Sequence, residues 1–398
     1  MLLRRFLLSA CCVLSLPCVL SQPAQAQSCS TIKNPVYVAG STALEPLFKG
    51  LGPKLASDPK NPITLVYLKN GSCSGVAQLG TKLTAAVAPK FYYVDASYTG
   101  GDVPQCVNDL ATAPTLDVAL SDVYYERCKA GASLAAGYKD FLGPVETMIM
   151  MVPKQSTQTA ISAEEAYYLF GFGSFGDVSP WTDESMVCIR SSSSGTLGLW
   201  SATIGLPNTS WRGVVNPGSS EVVTCVDLAA QKSPEKAIGI VGAEIYDAGT
   251  IRNGHRALAF RSFKQNYAYY PDSTPTAYDK RNVRDGRYTA FGYAHIMTAV
   301  DAQGKPINPL VGIWVDQLTS LRSDVLTTVI RNVKMVPQCA MNVARTSDGG
   351  DLIPYTGPSC SCFYEATLAG KAPARCQSCI TDADCSTKHC NLGYCETR

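Results

Sequence analysis

The sequence lacks the patterns of several function classes. It has only three histidines in 398 residues, scattered along the chain, and no H-E-x-x-H motif. These residues form neither a Ser–His–Asp set nor the ligand spacing of a catalytic metal. Basic and acidic residues are balanced, at 34 and 32, so nothing favours nucleic-acid or polybasic membrane binding. The sequence therefore predicts no catalytic residues, no metal, no cofactor and no nucleic-acid partner.

The N-terminus carries an export pattern. Arg4 and Arg5 precede an apolar stretch from Phe6 to Leu20, and Ala24-Gln25-Ala26 supplies a small-residue cleavage site. This predicts a secretory signal peptide over residues 1–26. A lipoprotein box at Leu8–Cys11 is the disfavoured alternative, because the apolar run before it is too short. No later apolar run approaches the ~20 residues of a membrane span. We therefore expect a soluble mature protein, periplasmic or extracellular.

Cysteine usage agrees with export. Fourteen of the 17 cysteines lie beyond the predicted signal peptide, an even number that favours disulfides in an oxidising compartment. Six are spread over the body: Cys29, Cys73, Cys106, Cys128, Cys188 and Cys225. Eight crowd the C-terminal region: Cys339, Cys360, Cys362, Cys376, Cys379, Cys385, Cys390 and Cys395. The Cys376-x-x-Cys379 spacing would suggest zinc in a reducing compartment, but export favours disulfides.

Strand-like and helix-like segments alternate along the body, which is typical of an α/β fold with mostly parallel strands. Predicted strands are Val36–Ala39, Ile63–Leu68, Asp117–Leu120, Thr147–Val152, Met186–Ile189, Glu221–Val226, Ala237–Val241 and Ala257–Arg261. Helices are predicted to begin at Ser41, Gly75, Ser162 and Thr196, with Ser162 and Glu165 forming a capping box. Residues 266–292 are predicted to form loops and short strands.

The stretch R-S-S-S-S-G-T at residues 190–196 is the most informative in the chain. It lies between an apolar run and a helix-like segment, which predicts a strand, a small-residue turn and a helix start. Such a turn directs N–H groups and the positive end of the helix dipole at one point, and Arg190, Ser194 and Thr196 add donors. The combination favours an oxyanion. A Ser-rich surface loop with a capping Thr is the alternative.

Three further strand ends lead into similar loops. Gly40-Ser41-Thr42 follows the first strand, Asn70 to Gly75 follows the second, and Ser121-Asp122 follows the third. Loops at strand ends are where open α/β sheets bind ligands. One Gly/Ser loop is weak evidence, but four with complementary chemistry predict a common site.

The order of these stretches resembles the phosphate-binding subunit of bacterial ABC importers, a type II periplasmic binding protein. In that family a G-x-T turn, a G-S turn, an S-D pair and an R-x-x-x-S-G-T turn surround one phosphate. The matching residues here are Thr42, the N–H of Ala43, Ser72, Asp122, Arg190, Ser194, Gly195 and Thr196. The resemblance covers roughly residues 35–345. This chain departs from the family in three places. A bulky residue is usual at the position of Ala43, Cys73-Ser74 interrupt a Gly-rich turn, and the Cys-rich tail is additional.

The resemblance implies a two-lobed α/β protein that closes by a hinge on inorganic phosphate or a similar tetrahedral oxyanion. We expect a monomer that serves an ABC transporter permease. Lobe 1 would comprise residues 28–145 and 255–345, lobe 2 residues 146–254, and a disulfide-rich C-terminal module residues 346–398. The hinge would pass near Gly143-Pro144 and Asp247–Gly254.

These boundaries make three further predictions. Cys188 should pair with Cys225, and the four other body cysteines should pair among themselves in one of three connectivities. The tail should be dispensable for ligand binding.

Two functions are alternatives to phosphate capture for import. One is an exported phosphate-ester hydrolase, for which no nucleophile with a base is visible. The other is a secreted interaction protein that retains the binding fold.

Overall fold

The computed structural model describes residues 27–398, and the predicted signal peptide lies outside these residues. Strands β1 to β9 are Gln27–Ser28, Pro35–Gly40, Thr64–Lys69, Lys90–Val94, Gln105–Val107, Val118–Ser121, Tyr138–Pro153, Ala160–Ser162 and Val187–Arg190. Strands β10 to β18 are Val214–Asn216, Ile238–Gly242, His255–Ala257, Ala259–Arg261, Phe291–Ala299, Val343–Ala344, Ile353–Pro354, Cys390–Asn391 and Tyr394–Cys395. Helices α1 to α6 are Glu45–Ala56, Ser72–Ala77, Tyr125–Cys128, Ala163–Phe172, Gly195–Ile204 and Ser219–Lys232. Helices α7 to α12 are Ala243–Tyr246, Thr250–Gly254, Arg281–Arg284, Pro309–Thr319, Ser323–Thr328 and Ser361–Ala369.

Most of the strands belong to one mixed sheet, in the order β1-β5-β4-β3-β2-β6-β14-β7-β11-β9-β10, with β12 also paired to β7. The pairs β2–β3, β2–β6, β9–β10 and β9–β11 are parallel. Strands β7 and β14 run antiparallel to each other and to β11 and β6 respectively. The predicted α/β fold is confirmed, although the sheet is mixed where mostly parallel strands were expected.

The long strand β7 joins two halves of this sheet. Its first part, residues 138–147, pairs with β14, and its last part, residues 148–153, pairs with β11 and β12. Each half has apolar clusters of its own: Trp314 and Phe48 lie in one core, and Trp200 and Phe260 lie in another. We propose that this division corresponds to the two predicted lobes, with β7 passing between them.

The pairing of β12 and β13 bears on where the chain returns from lobe 2 to lobe 1, which the sequence analysis placed near Asp247–Gly254. Strand β12 pairs with the end of β7, and β13 pairs with β8, so residues 255–261 are hydrogen-bonded to strands assigned to lobe 2. Strand β14 is the next element that pairs with β6 of lobe 1. We therefore propose that the chain re-enters lobe 1 near residue 290, and the remaining boundaries stay as predicted from the sequence.

Local sequence signals explain most elements. Ser162 and Glu165 form the predicted capping box at the start of α4. The predicted strand Glu221–Val226 is wrong, because these residues lie in helix α6. Val222, Val223, Val226 and Ala229 recur at helical spacing and are buried, so packing of that face outweighs the strand preference of valine. Two predicted helix starts also shift, from Ser41 to Glu45 and from Gly75 to Ser72.

All fourteen cysteines of the described residues form disulfides. Cys188 pairs with Cys225, as predicted, and the other body pairs are Cys29–Cys106 and Cys73–Cys128. The remaining pairs are Cys339–Cys360, Cys362–Cys376, Cys379–Cys390 and Cys385–Cys395. Cys376 and Cys379 are thus both in disulfides rather than on a metal. Among residues 27–398, none of the helices combines the length and apolar character needed to cross a membrane.

The C-terminal module packs against the body. Cys360 and Tyr364 are buried within the apolar cluster that contains Trp200 and Phe260. Arg284 donates to the Glu365 carboxylate at 3.0 Å, and Arg331 donates to the Thr367 carbonyl at 2.8 Å. The module therefore contributes to a shared core as well as being stapled by disulfides.

Candidate functional site

The four predicted loops meet at one place between the lobes. Arg190, at the end of β9, donates from Nη2 to the Thr42 hydroxyl at 2.8 Å. The backbone N–H of Cys73 donates to the Ser193 carbonyl at 3.0 Å. Both bonds join a lobe 1 loop to the lobe 2 loop that the sequence analysis singled out, so the loops are in direct contact across the cleft.

Ser72, Asp122 and Gly195 form the centre of this contact. The N–H of Asp122 donates to the Ser72 hydroxyl at 3.2 Å. A Cβ built on Gly195 would lie 2.4 Å from Ser72 Oγ and 2.6 Å from Asp122 Oδ2. Only glycine allows this approach, because any side chain would collide with the two polar groups.

Helix α5 begins at this point. Gly195 and Thr196 are its first residues, and their N–H groups belong to the set that has no partner within a helix. Ser194 Oγ and Thr196 Oγ1 are buried and have no hydrogen-bond partner among the described residues. Two hydroxyls and a helix N-terminus thus face the site with donors to offer.

The first loop departs in detail from the sequence expectation. The Ala43 N–H donates to the Ser41 hydroxyl at 3.0 Å, and the Leu44 N–H donates to the same oxygen at 3.3 Å. Tyr67 donates to the Ser41 carbonyl. Gly40 is held at φ +140°, where an added Cβ would meet the Leu120 carbonyl at 1.9 Å. The Ala43 N–H is therefore occupied within its own loop, and Thr42 is the residue of this turn that contacts Arg190.

Arg190 is almost fully buried and held by four oxygens. Besides Thr42, it donates to the Ser219 hydroxyl at 3.0 Å and to the carbonyls of Pro217 and Asn216 at 3.0 and 3.4 Å. These three groups lie at the end of β10 and the start of α6. The sequence analysis identified none of them. Two are backbone carbonyls, which carry no residue-type signal, and the Ser219 hydroxyl lies outside the loops that the analysis singled out. They fix the guanidinium plane so that its charge lies beside Thr42 and Asp122.

Two further acidic residues lie behind Asp122, and the sequence analysis missed both. Glu146 on β7 and Glu244 on α7 are 0% and 2% exposed. The signal in the sequence was that each is a single acidic residue in a stretch of otherwise uncharged residues. These stretches are Val145-Glu146-Thr147-Met148 and Val241-Gly242-Ala243-Glu244. Burial raises the pKa of Glu146 well above its ordinary value, and the neighbouring charges of Asp122 and Glu244 add to that rise.

Burial sets the electrostatics of the whole site. It raises the pKa of Asp122, against the opposing effects of the Ser41 hydroxyl and the Arg190 charge. It raises the pKa of Glu244 well above its ordinary value. Burial also lowers the pKa of Arg190, against the attraction of Asp122, but a guanidinium remains charged in proteins. Arg190 is thus the cation of a site that contains three buried carboxyl groups.

Comparison with known proteins finds no matching family model and no matching curated sequence. Solved structures resemble the chain at low identity. An ABC-type phosphate transport receptor from Vibrio cholerae is 15% identical, with a TM-score of 0.47 over 76% of this chain and 99% of that chain. A phosphate-binding protein from Stenotrophomonas maltophilia is 15% identical, with a TM-score of 0.46 over 76% and 90% of the two chains. The high-affinity periplasmic phosphate-binding protein PfluDING, solved with phosphate, is 14% identical, with a TM-score of 0.48 over 76% and 90%.

Proposed function

We propose that this chain captures inorganic phosphate between its two lobes. The observation that carries the proposal is the convergence of Arg190 with two hydroxyls at the start of α5, Ser194 Oγ and Thr196 Oγ1, which are buried and have no partner among the described residues. A buried guanidinium and a helix N-terminus are suited to a tetrahedral oxyanion. Asp122 adds a hydrogen-bond acceptor for a protonated anion, because its Oδ1 is buried and has no donor among residues 27–398.

That acceptor favours phosphate over sulfate. Phosphate near neutral pH still carries a proton, which it can donate to the Asp122 carboxylate. Sulfate carries none, so its oxygens would face a negative charge with no hydrogen bond between them. A buried group left unpaired in this way rejects the wrong ligand more strongly than an added contact favours the right one.

The geometry supports a binding role rather than catalysis. Asp122, Arg190 and the hydroxyls of Ser72 and Thr42 are held by hydrogen bonds within and between their loops. We propose export to the periplasm or cell surface and, from the family resemblance, delivery by a monomer to an ABC transporter permease. Stimulation of ATP hydrolysis in a reconstituted importer by the phosphate-loaded protein tests the delivery step.

Calorimetry on the purified mature protein tests the ligand. We expect phosphate and arsenate to bind and sulfate not to bind at neutral pH. Arg190→Gln should weaken phosphate binding at least tenfold, because a charge-assisted pair to an enclosed anion contributes roughly 1.5–3 kcal/mol. Arg212→Gln, at an exposed arginine of the same lobe, is the matched control and should bind like the parent. A protein that binds no tetrahedral anion would overturn the proposal.

A further inference from the structure

Three carboxyl groups and one guanidinium share the buried floor of the site, and this imbalance needs an explanation. We propose that Glu146 and Glu244 are neutral carboxylic acids, and that Glu146 is a positioning residue whose proton is donated to Asp122, which leaves the other Asp122 oxygen for the ligand. The inference deepens the proposed function and rests on it for the role toward phosphate.

Sheet register places the three groups together. Glu146 is paired with Gly292 of β14, and a Cβ built on Gly292 would lie 3.0 Å from the Asp122 carbonyl. Gly242 is paired with Met148, two residues along β7 from Glu146. The Glu244 carboxyl folds back over Gly242, since a Cβ there would lie 1.8 Å from Glu244 Oε1. Glu146 therefore lies between Asp122 on one side and Glu244 on the other.

The hydrogen-bond pattern fits acids rather than carboxylates. A carboxylate can only accept, and as acceptors none of the four oxygens of Glu146 and Glu244 has a donor among the described residues. The register of β7 places the Glu146 carboxyl beside the carboxyl groups of both Asp122 and Glu244. Protonation converts each of these contacts into a hydrogen bond: Glu244 donates to Glu146, and Glu146 donates to Asp122.

The surrounding charges favour the same assignment. The groups that act on Glu146 are Asp122, Glu244, Arg190 and the buried hydroxyl of Tyr67. Arg190 is the only positive group among these, and hydrogen bonds from Ser41 and Ser72 favour the ionised form of Asp122. Asp247 also acts on Glu244, but Lys280 and Arg252 pair with its carboxylate. Asp122 is thus the group best placed to stay charged, and the two glutamates are the groups best placed to hold protons.

Infrared spectroscopy tests the protonation without any ligand. Wild-type protein at neutral pH should show carboxylic-acid C=O absorption that decreases in Glu146→Gln and decreases again in Glu146→Gln/Glu244→Gln. Glu126→Gln, at an exposed glutamate on α3, is the control and should leave the absorption unchanged. Unchanged acid absorption in the double variant would overturn the proposal, whether or not the protein binds phosphate.

Phosphate calorimetry tests the positioning role. Glu146→Gln keeps an N–H donor for Asp122 and an acceptor for Glu244, so its affinity at neutral pH should stay within about threefold of wild type. Glu146→Leu has neither group and should bind at least tenfold more weakly. With rising pH, wild type should lose affinity relative to Glu146→Gln, because only wild type can lose the positioning proton.

Two results would contradict the positioning role. One is a Glu146→Leu variant that binds like wild type. The other, available even if Glu146→Leu does not fold, is a Glu146→Gln variant whose affinity follows the wild-type pH profile to its alkaline end. Absence of phosphate binding in wild type itself would instead reject the proposed function, while the infrared result would still decide the protonation of Glu146 and Glu244.

Discussion

Two buried charge clusters in this protein differ in one respect, their balance of positive and negative groups. The first, at the site, contains Asp122, Glu146 and Glu244 with the single cation Arg190. The second lies between lobe 2 and the C-terminal module and contains Asp247 and Asp272 with Lys280 and Arg252. All eight side chains are buried. The second cluster is balanced, with two anions and two cations, whereas the first has an excess of carboxyl groups.

The balanced cluster is fully paired. Lys280 Nζ lies 2.6 Å from Asp247 Oδ2 and 3.0 Å from Asp272 Oδ1. Arg252 Nη1 lies 2.6 Å from Asp247 Oδ1, and its other nitrogen donates to the Pro275 carbonyl at 3.1 Å. Burial by itself would lower the pKa of Lys280, but the two aspartates outweigh it and the pKa is raised. Such a cluster holds loops together and leaves no group unpaired for a ligand.

The comparison shows how to separate a structural from a functional buried cluster. Both are costly to desolvate, so burial alone does not distinguish them. In the balanced cluster the carboxylates have cationic partners, whereas at the site Asp122 Oδ1, Ser194 Oγ and Thr196 Oγ1 have no partner among residues 27–398. These three groups are the ones that an incoming anion would complete. The predictions below test this contrast, from the largest expected effect to the smallest.

Breaking the balanced cluster should mainly affect folding. Lys280→Met removes one cation and leaves two buried aspartates with Arg252 alone, so we expect the free energy of unfolding to fall by about 3–5 kcal/mol. Urea denaturation measures this loss. Lys232→Met, at an exposed position on α6, should cost less than about 0.5 kcal/mol. A loss of the same small size at Lys280 would show that the cluster contributes no more than a surface ion pair.

Removing the C-terminal module should destabilise the same region. A chain ending at residue 346 and carrying Cys339→Ser lacks the Cys339–Cys360 disulfide and buried Tyr364. Full-length Cys339→Ser/Cys360→Ser loses the same disulfide, which costs roughly 3 kcal/mol by chain entropy for a loop of about 20 residues, but it keeps the packing of Tyr364. We therefore expect the truncated chain to have the lower melting temperature of the two. Equal melting temperatures would show that the packing of the tail adds no stability beyond the disulfide. The sequence-based expectation that the tail is dispensable for ligand binding is tested by phosphate calorimetry on the truncated chain.

Sequence could predict the site loops because their signal is local. Thr42, Ser72 and Asp122 each follow a short apolar strand and Arg190 ends one. Hydrogen bonds between the loops join these strand ends at one site. The residues that the loops bind by hydrogen bonds, such as the carbonyls of Asn216 and Pro217, have no such signal.

Other features depend on tertiary packing that sequence patterns do not contain. Glu146 and Glu244 are 98 residues apart in the chain and meet only through the β7–β11 pairing. The same limit applies to the helix at Glu221–Val226, where side-chain burial decided between two possible periods. It applies also to the tail disulfides, because connectivity depends on three-dimensional distance.

Changing the charge of the unbalanced cluster should alter selectivity. Asp122→Asn replaces an acceptor by a group that can donate, so sulfate should gain affinity and the preference for phosphate should narrow by at least tenfold, about 1.4 kcal/mol. Competition calorimetry with both anions measures the ratio. Asp140→Asn, a part-buried aspartate outside the site, is the control. Sulfate binding by the wild-type protein equal to phosphate binding would show that Asp122 does not face the ligand.

The excess carboxyls should also make stability depend on pH. Burial raises the folded-state pKa of Glu244 well above its ordinary value, so the folded state holds a proton that the unfolded state releases. The contribution of this proton to stability is fully present below the pKa of the carboxyl in the unfolded state, near 4.3. It falls as the pH rises toward the pKa in the folded state, by up to about 1.4 kcal/mol per pH unit. Glu244→Gln releases no proton, so denaturation in phosphate-free buffer should show its advantage over wild type growing from pH 4 to pH 8. A difference between the two proteins that does not change with pH would mean that Glu244 is ionised when folded.

The smallest effect should come from the single hydrogen bond that joins Arg190 to the opposite lobe. Thr42→Val keeps the shape of the side chain but removes the oxygen that accepts from Arg190 Nη2 at 2.8 Å. Three other oxygens still hold the guanidinium, so we expect phosphate affinity to fall only about two- to tenfold, in line with roughly 0.5–1.5 kcal/mol for one hydrogen bond. Thr42→Ser keeps the hydroxyl and should bind like wild type.

Ser219→Ala removes a hydrogen bond of similar length to Arg190 within lobe 2. We expect this variant to lose less phosphate affinity than Thr42→Val, because the Thr42 hydroxyl also lies where it can donate to the anion. If Ser219→Ala weakens phosphate binding as much as Thr42→Val does, the orientation of Arg190 alone accounts for both losses, and Thr42 makes no contact of its own with the ligand.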